Sequence, residues 1–174
     1  MIEIRKAKLD DIQGIIDVCS AGYRNTYPDL LPQQYIEKII ADFYNEERVE
    51  KEIRNTSQAW NGWFVAIDNG KIVGAGGGGF TGEAVAELYV LYLDPKRKRE
   101  GIGRKLLEAI TNDQIERGAK KQWVSVTKGN LMGIPFYEAV GFTYQGEQSA
   151  YGLPKDEGFM SLRYMRSLAT EASM

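Results

Sequence analysis

Residues 85–93, VAELYVLYL, form an apolar run broken by a single charge, and they pass through Asp94-Pro95 into KRKREGIGRK and then LLEAI. A run this apolar needs cover on both faces, which places it as a strand at the centre of a sheet. Ile102, Leu106, Leu107 and Ile110 then recur at helical spacing toward Gly118, and KQWVSV reads as a further strand. Strand, loop, helix and strand in that order make a crossover connection.

The loop of this crossover carries its own chemistry. Gly101 and Gly103 let backbone N–H groups converge on an anion without Cβ obstruction, and the first turn of the helix adds unpaired donors and a positive dipole end. Lys96, Arg97, Lys98, Arg99, Arg104 and Lys105 crowd the same stretch, although the whole chain has a net charge of -2. Helix-end attraction is worth about 0.3–1 kcal/mol, so several amides and basic side chains must act together to hold a diphosphate. A second glycine run, GAGGGG at residues 74–79, formally fits Gly-x-Gly-x-x-Gly with Gly74, Gly76 and Gly79. A turn and another strand follow it instead of a helix, so it reads as a glycine-rich strand edge that another element approaches closely. The Gly-Lys-Ser/Thr ending of a phosphate-binding P-loop is absent.

The chain has no histidine and one cysteine, Cys19, which excludes His-assisted triads, Cys/His zinc sites and disulfide scaffolds. Proton transfer must fall to Glu, Asp, Tyr, Lys or water. Cys19 shares a helical stripe with Ile12, Ile15 and Ile16 and reads as a buried thiol. The acidic balance argues against nucleic acid as a partner, and no stretch has the length and apolarity of a signal peptide or a membrane span. A cytoplasmic location is the expectation.

The remaining chain fills out an α+β pattern. Residues 2–7 alternate as a strand, Asp10 and Asp11 start a helix, and residues 32–55 carry a helical region broken around Phe43 to Asn45. Asp68-Asn69-Gly70 closes a tight hairpin, and Thr81-Gly82-Glu83 makes a second turn before the central strand. GNLMGIPFYEAVGF gives a short helix capped at Gly141, and residues 142–148 and 158–168 pair as closing strands. Residues 1–167 are expected to form a single domain with residues 168–174 as a flexible tail, and the exposed edge of the final strands suits a homodimer.

VAELYVLYLDPKRKREGIGRKLL resembles the acetyl-CoA-binding core of the GNAT superfamily of N-acetyltransferases. Their loop pattern is Gln/Arg-x-x-Gly-x-Gly/Ala, and Lys98-Arg99-Glu100-Gly101-Ile102-Gly103 matches it with Lys98 in the first place. GNLMGIPFYEAVGF resembles a second segment of the family, with Asn130, Phe136, Tyr137, Gly141 and Phe142 in step. The element order over residues 2–166 fits as well. The resemblance implies the GNAT fold, a mixed and mostly antiparallel central sheet flanked by helices, whose splayed central strands hold the cofactor. It implies that backbone groups of Leu91, Tyr92 and Leu93 bond the pantetheine arm of acetyl-CoA, that Lys98, Arg99, Glu100, Gly101, Ile102, Gly103 and Arg104 surround the pyrophosphate, and that Asn130 lies beside the cofactor.

Acetyl transfer needs a neutral amine. For a lysine-like nitrogen this costs about 4.6 kcal/mol at pH 7, so a base is expected. Glu87 is the one charge inside the apolar strand, and by resemblance it is the general base, acting through water. Tyr137 by resemblance protonates the departing thiolate, and the Leu91 N–H is a donor to the thioester oxygen. Acceptor recognition in such folds falls to the first helices and the late hairpin, here Tyr23, Arg24, Tyr27 and residues 148–153. A small amine, a polyamine or a peptide amine all fit. A non-catalytic acyl-CoA sensor or interaction protein of the same fold is the alternative; it needs neither Glu87 nor Tyr137.

Overall fold

Asn69 and Gly70 sit at φ 51° and 76°, the left-handed pair that a two-residue hairpin turn requires, and they join β2 (Trp63–Asp68) to β3 (Lys71–Gly82). Around this hairpin the computed structural model describes residues 1–168. The chain runs β1 (Glu3–Lys6), α1 (Ile12–Thr26), α2 (Gln33–Phe43), α3 (Glu46–Arg54), β2, β3, β4 (Val85–Leu93), α4 (Ile102–Glu116), β5 (Lys121–Thr127), α5 (Gly133–Ala139), β6 (Thr143–Ser149) and β7 (Met160–Ser167). The strands form one sheet in the order β1-β2-β3-β4-β5-β7-β6. Every neighbouring pair is antiparallel except β4 and β5, which the α4 crossover makes parallel. The fold is α+β, as the sequence implies.

Helices cover both faces. On one face Ile15, Val18 and Cys19 of α1 meet Val49 of α3 and Trp63, Val65 and Ala75 of the sheet. On the other, Ile102, Leu106, Leu107 and Ile110 of α4 pack on Phe64, Ala66, Val73 and Leu88. Each fully buried Ile, Leu, Val or Phe among them contributes roughly 1.5–3 kcal/mol. Asp11 fastens the start of α1: its carboxylate accepts the Lys8 N–H at 2.7 Å and the Arg5 guanidinium at 2.8 and 3.2 Å. Burial alone would raise the Asp11 carboxyl, but these donors outweigh it and hold the group below the usual carboxylate range. The break between α2 and α3 falls at Tyr44-Asn45, where the Asn45 side chain accepts the Arg48 N–H at 2.8 Å as an N-cap.

Four expectations are corrected. The glycine run lies in the interior of β3, between β2 and β4, and not at an edge. What approaches is the Ala59–Trp60 segment, its carbonyl against Gly79 and its Trp60 ring 2.5 Å from a Cβ built on Gly77, together with the Glu87 carbonyl and the Gln114 amide of α4 at Gly78. The turn after β3 falls later than expected, at Glu83-Ala84, because β3 keeps its pairing through Gly82↔Val85. Leu168 does not belong to a tail: its N–H donates to Lys120 O at 2.8 Å and its side chain is buried with Phe80, Ala86 and Ala119. Residues 169–174, the rest of the expected tail, lie outside the described residues. Finally, β4 is the middle strand of seven, but its full burial ends at Leu88: Tyr89 is exposed and Val90 to Leu93 are half-buried.

Candidate active site

The opening of β4 beyond Leu88 has a definite origin. Parallel pairing of β4 with β5 runs from Val85↔Lys121 to Leu88↔Val124 and stops. On its other side β4 stays paired with β3, but the register jumps from Gly78↔Leu88 to Gly77↔Val90, so Tyr89 is an extra residue with no partner. A bulge of this kind bends and twists its strand. Here it carries Val90 to Leu93 away from β5, which continues straight along β7 to Thr127. The fork encloses a cavity of about 720 Å³.

At the mouth of the fork the backbone is shaped for an anion. Arg99 and Gly101 both hold positive φ, 66° and 78°, and Gly101 is the N-cap of α4 with no side chain capping it. The first intrahelical bond is from Lys105 N–H to Gly101 O at 3.0 Å. Among the described residues the amides of Ile102, Gly103 and Arg104 therefore find no acceptor in the protein. Lys98, Arg99 and Gly103 lie on the cavity wall. Arg97 does not: its guanidinium bonds Glu100 twice at 2.7 Å and Asp68 at 2.8 Å. The arginine holds the Glu100 carboxyl below its usual range and turns its charge to the outer side of the loop. Glu100 and Arg104 are absent from the wall, and Ile102 buries its side chain in the α4 core and can offer its backbone alone.

Leu91, Tyr92 and Leu93 line the open limb of the fork. Leu91 and Leu93 pack toward α4, whereas Tyr92 packs toward α1 and its hydroxyl donates to Tyr27 Oη at 3.3 Å. On the opposite limb Asn130 starts α5 by accepting the N–H groups of Met132 and Gly133 at 3.1 and 2.9 Å, and Tyr137 lies on the wall one turn into that helix. The Tyr137 hydroxyl has no hydrogen-bond partner among the described residues. Burial, with the phenol of Tyr27 adding to it, pushes this hydroxyl well above the usual phenol range. It is a group that holds its proton until a strong acceptor forms beside it.

The structure does not bring every expected residue to the cavity. Glu87 lies one residue before the fork and is absent from the wall; Arg163 of β7 clasps its carboxylate at 2.7 and 3.1 Å. Arg163 also donates to Ser125 Oγ at 2.7 Å, and Ser125 is on the wall. Arg24 does not reach the cavity, because Glu37 of α2 holds it bidentately at 2.9 and 2.8 Å. Tyr23 is a buried packing residue, its ring 4.3 Å from that of Tyr27 and 5.9 Å from that of Tyr92. Of the three expected acceptor residues only Tyr27 lines the cavity, and residues 148–153 do not. Asn25, Thr26, Tyr89 and Ser125 line it without having been singled out, and Phe136, named only as a motif residue, lines it as well. Phe136 carries a signal in the sequence, its place beside Tyr137; Tyr89 and Ser125 owe theirs to strand register.

No Asp or Glu lines the cavity among the described residues. One end is basic and rich in free amides, and the other is walled by phenol and hydroxyl groups. Such a space fits an elongated ligand with a diphosphate at one end and a reacting carbonyl near Tyr137.

The family model described as the acetyltransferase (GNAT) family matches residues 26–142. The chain is 33% identical over 144 residues to the uncharacterized N-acetyltransferase YuaI of Bacillus subtilis, covering 80% of this chain and 79% of that protein. It is 28% identical over 146 residues to the spermidine N(1)-acetyltransferase of Thermoplasma acidophilum, covering 81% of this chain and 88% of the relative. In fold it is similar to the crystal structure of the PaiA N-acetyltransferase of Thermoplasma acidophilum in complex with coenzyme A, with a TM-score of 0.82 and 24% identity over 97% of this chain and 99% of that one.

Proposed function

The chain belongs to the GNAT family of acetyltransferases, enzymes dependent on acetyl-CoA, and from that premise we propose that it acetylates a primary amine, with a polyamine as the favoured acceptor. The observation that carries the reading is the fork: β4 leaves β5 after Leu88 and opens a cavity whose wall holds Gly103 at the start of α4 and, on the facing limb, Tyr137. Bound acetyl-CoA supplies the acetyl thioester.

The residues of the chain divide the remaining work. Amides of Ile102, Gly103 and Arg104, helped by Lys98 and Arg99, hold the diphosphate. The free edge of Val90 to Leu93 offers strand-like hydrogen bonds to the pantetheine arm, an added strand in place of the pairing lost from β5. The Leu91 N–H is the donor to the carbonyl oxygen as that oxygen gains charge. As the amine nitrogen bonds to the carbonyl carbon and the carbon–sulfur bond breaks, Tyr137 gives its proton to the sulfur. Glu87 takes the amine proton at one remove, through water. Arg163 occupies two of the carboxylate's roughly four acceptor positions and holds it in place. The phenols of Tyr27 and Tyr89, both on the cavity wall, are aromatic groups on which a second cationic nitrogen of the acceptor can rest.

One observation supports a polyamine: the similarity to a spermidine acetyltransferase extends over 81% of this chain. The test is to incubate the protein with acetyl-CoA and a panel of spermidine, spermine, an aminoglycoside and peptides with free N-terminal or lysine amines, following free thiol. Saturable release with polyamines above the other amines is expected. Release confined to peptides would overturn the acceptor assignment. No release with any amine, alongside a thermal shift with coenzyme A, would leave the binding-only sensor as the reading.

A further inference from the structure

Beyond the packing of Val140 and Phe142 in the core and the pairing of Thr143 with Met165, one arginine side chain holds the carboxyl end of α5 by hydrogen bonding. Arg166, on β7, donates from Nη1 to Val140 O at 2.8 Å, from Nε to Gln122 Oε1 of β5 at 2.9 Å and from Nη2 to Thr111 Oγ1 of α4 at 3.0 Å. Its guanidinium lies 4.6 Å from the centre of the Phe142 ring. Phe142 in turn bonds back to the active-site helix: its N–H donates to Tyr137 O at 3.0 Å, and its ring meets the Tyr137 ring edge-on at 5.6 Å. Arg166 thus touches the Tyr137 segment through both backbone and ring.

The same arginine begins a buried chain of hydrogen bonds that ends at the fork. Gln122 donates to Gln114 Oε1 at 2.9 Å, and Gln114 donates to Glu87 O at 3.1 Å, the residue just before Leu88. Gln114 and Gln122 are fully buried and Thr111 nearly so, so each depends on these partners. No carboxylate pairs with Arg166 among the described residues. Arg166 is half-buried, and partial loss of water without a counter-charge still disfavours a cation, so an apolar side chain would serve packing alone better. The planar fork of arginine suits three acceptors on three elements; a lysine ammonium does not.

We propose that Arg166 is a positioning residue for acetyl transfer, fixing the place of the Tyr137 hydroxyl relative to the fork by pinning Val140 and Phe142 to α4 and β5. The inference rests on Tyr137 as the proton donor. A displacement of the donor by about 1 Å is enough to cost up to about 100-fold in rate.

The experiment is a double-mutant cycle with Arg166→Met and Tyr137→Phe, supported by a measurement that needs no turnover. Arg166→Met is expected to lower kcat by about 10- to 100-fold with the KM for acetyl-CoA unchanged, and the double variant is expected to be no slower than Tyr137→Phe alone. In protein carrying 3-fluorotyrosine at position 137, Arg166→Met is expected to move the fluorine resonance. If Arg166→Met fails to fold, Arg166→Lys replaces it, with a smaller loss in the same pattern. Parent-like kcat, additive losses in the double variant, or an unmoved fluorine signal would each overturn the proposal. A parent protein that releases no thiol with any amine would instead overturn the acetyl-transfer reading, while the fluorine signal would still decide whether Arg166 places Tyr137.

Discussion

Gly101 is the residue on which the anion cradle turns. At φ 78° and ψ 11° it lies in the left-handed region, and a methyl group built on it would meet nothing within 4 Å. Gly101→Ala therefore introduces no clash, and its penalty is torsional, about 1–2 kcal/mol for an L-residue held there. If the loop keeps its shape, the folded state carries that penalty and Tm falls by roughly 2–8 °C. If the loop relaxes instead, stability is retained, but the amides of Ile102 to Arg104 turn away and coenzyme A must restore them on binding. Affinity then falls by about 5- to 30-fold. The strain is counted once, so the losses in unfolding and in binding free energy are expected to sum to about 1–2 kcal/mol. Scanning calorimetry and titration calorimetry with coenzyme A measure the two parts. Gly101→Asn should lose less, because asparagine tolerates the left-handed region better. Gly103→Ala is the contrast: its methyl would sit 3.2 Å from Leu93 Cδ2, so its effect is steric and confined to the cavity wall. Parent-like Tm together with parent-like affinity in Gly101→Ala would refute the reasoning.

Tyr137→Phe is expected to lower kcat by about 100-fold, the low end for a general acid, with little change in acetyl-CoA affinity; steady-state kinetics beside titration calorimetry check it, and parent-like turnover removes Tyr137 from the mechanism. Glu87→Gln should slow the reaction at neutral pH and make the rate climb more steeply as pH rises and the amine neutralises itself, a change seen in the pH–rate profile; an unaltered profile counts against Glu87. Asp11→Asn should destabilise the fold by about 1.5–3 kcal/mol at neutral pH. Because Asp11 has a lowered folded pKa, its contribution is complete above the unfolded carboxylate pKa and is lost as pH falls through the folded one. Denaturant titrations of parent and variant should therefore converge in strong acid, and a gap independent of pH would contradict the assignment.

The parts of this protein legible in its sequence are those whose physics closes within a few residues. The left-handed turn at Asn69-Gly70, the helix start at Asp11, the break before Asn45 and the glycine loop opening α4 are each specified by local backbone freedom, capping and period. They fix the order of elements and place the anion cradle between strand and helix. Tyr137 and Asn130 were legible as site residues through resemblance, because GNLMGIPFYEAVGF matches a family segment that folds as one short unit.

What only the tertiary structure decided depends on register between distant segments. The cavity exists because Tyr89 bulges against β3, so that β4 leaves β5 after Leu88. No local propensity records that event. Glu87 was visible as a lone charge in an apolar strand, but its partner Arg163 lies 76 residues away, and the pair is set by how β4, β5 and β7 align. Arg24 was legible as a cation near the acceptor end, whereas its engagement by Glu37 follows from the packing of α1 on α2. The reach of Arg166 to α4, β5 and the end of α5 belongs to the same class. A side chain's type is written at its own position, but whether its charge meets a ligand or a neighbour is set by elements that the fold alone brings together.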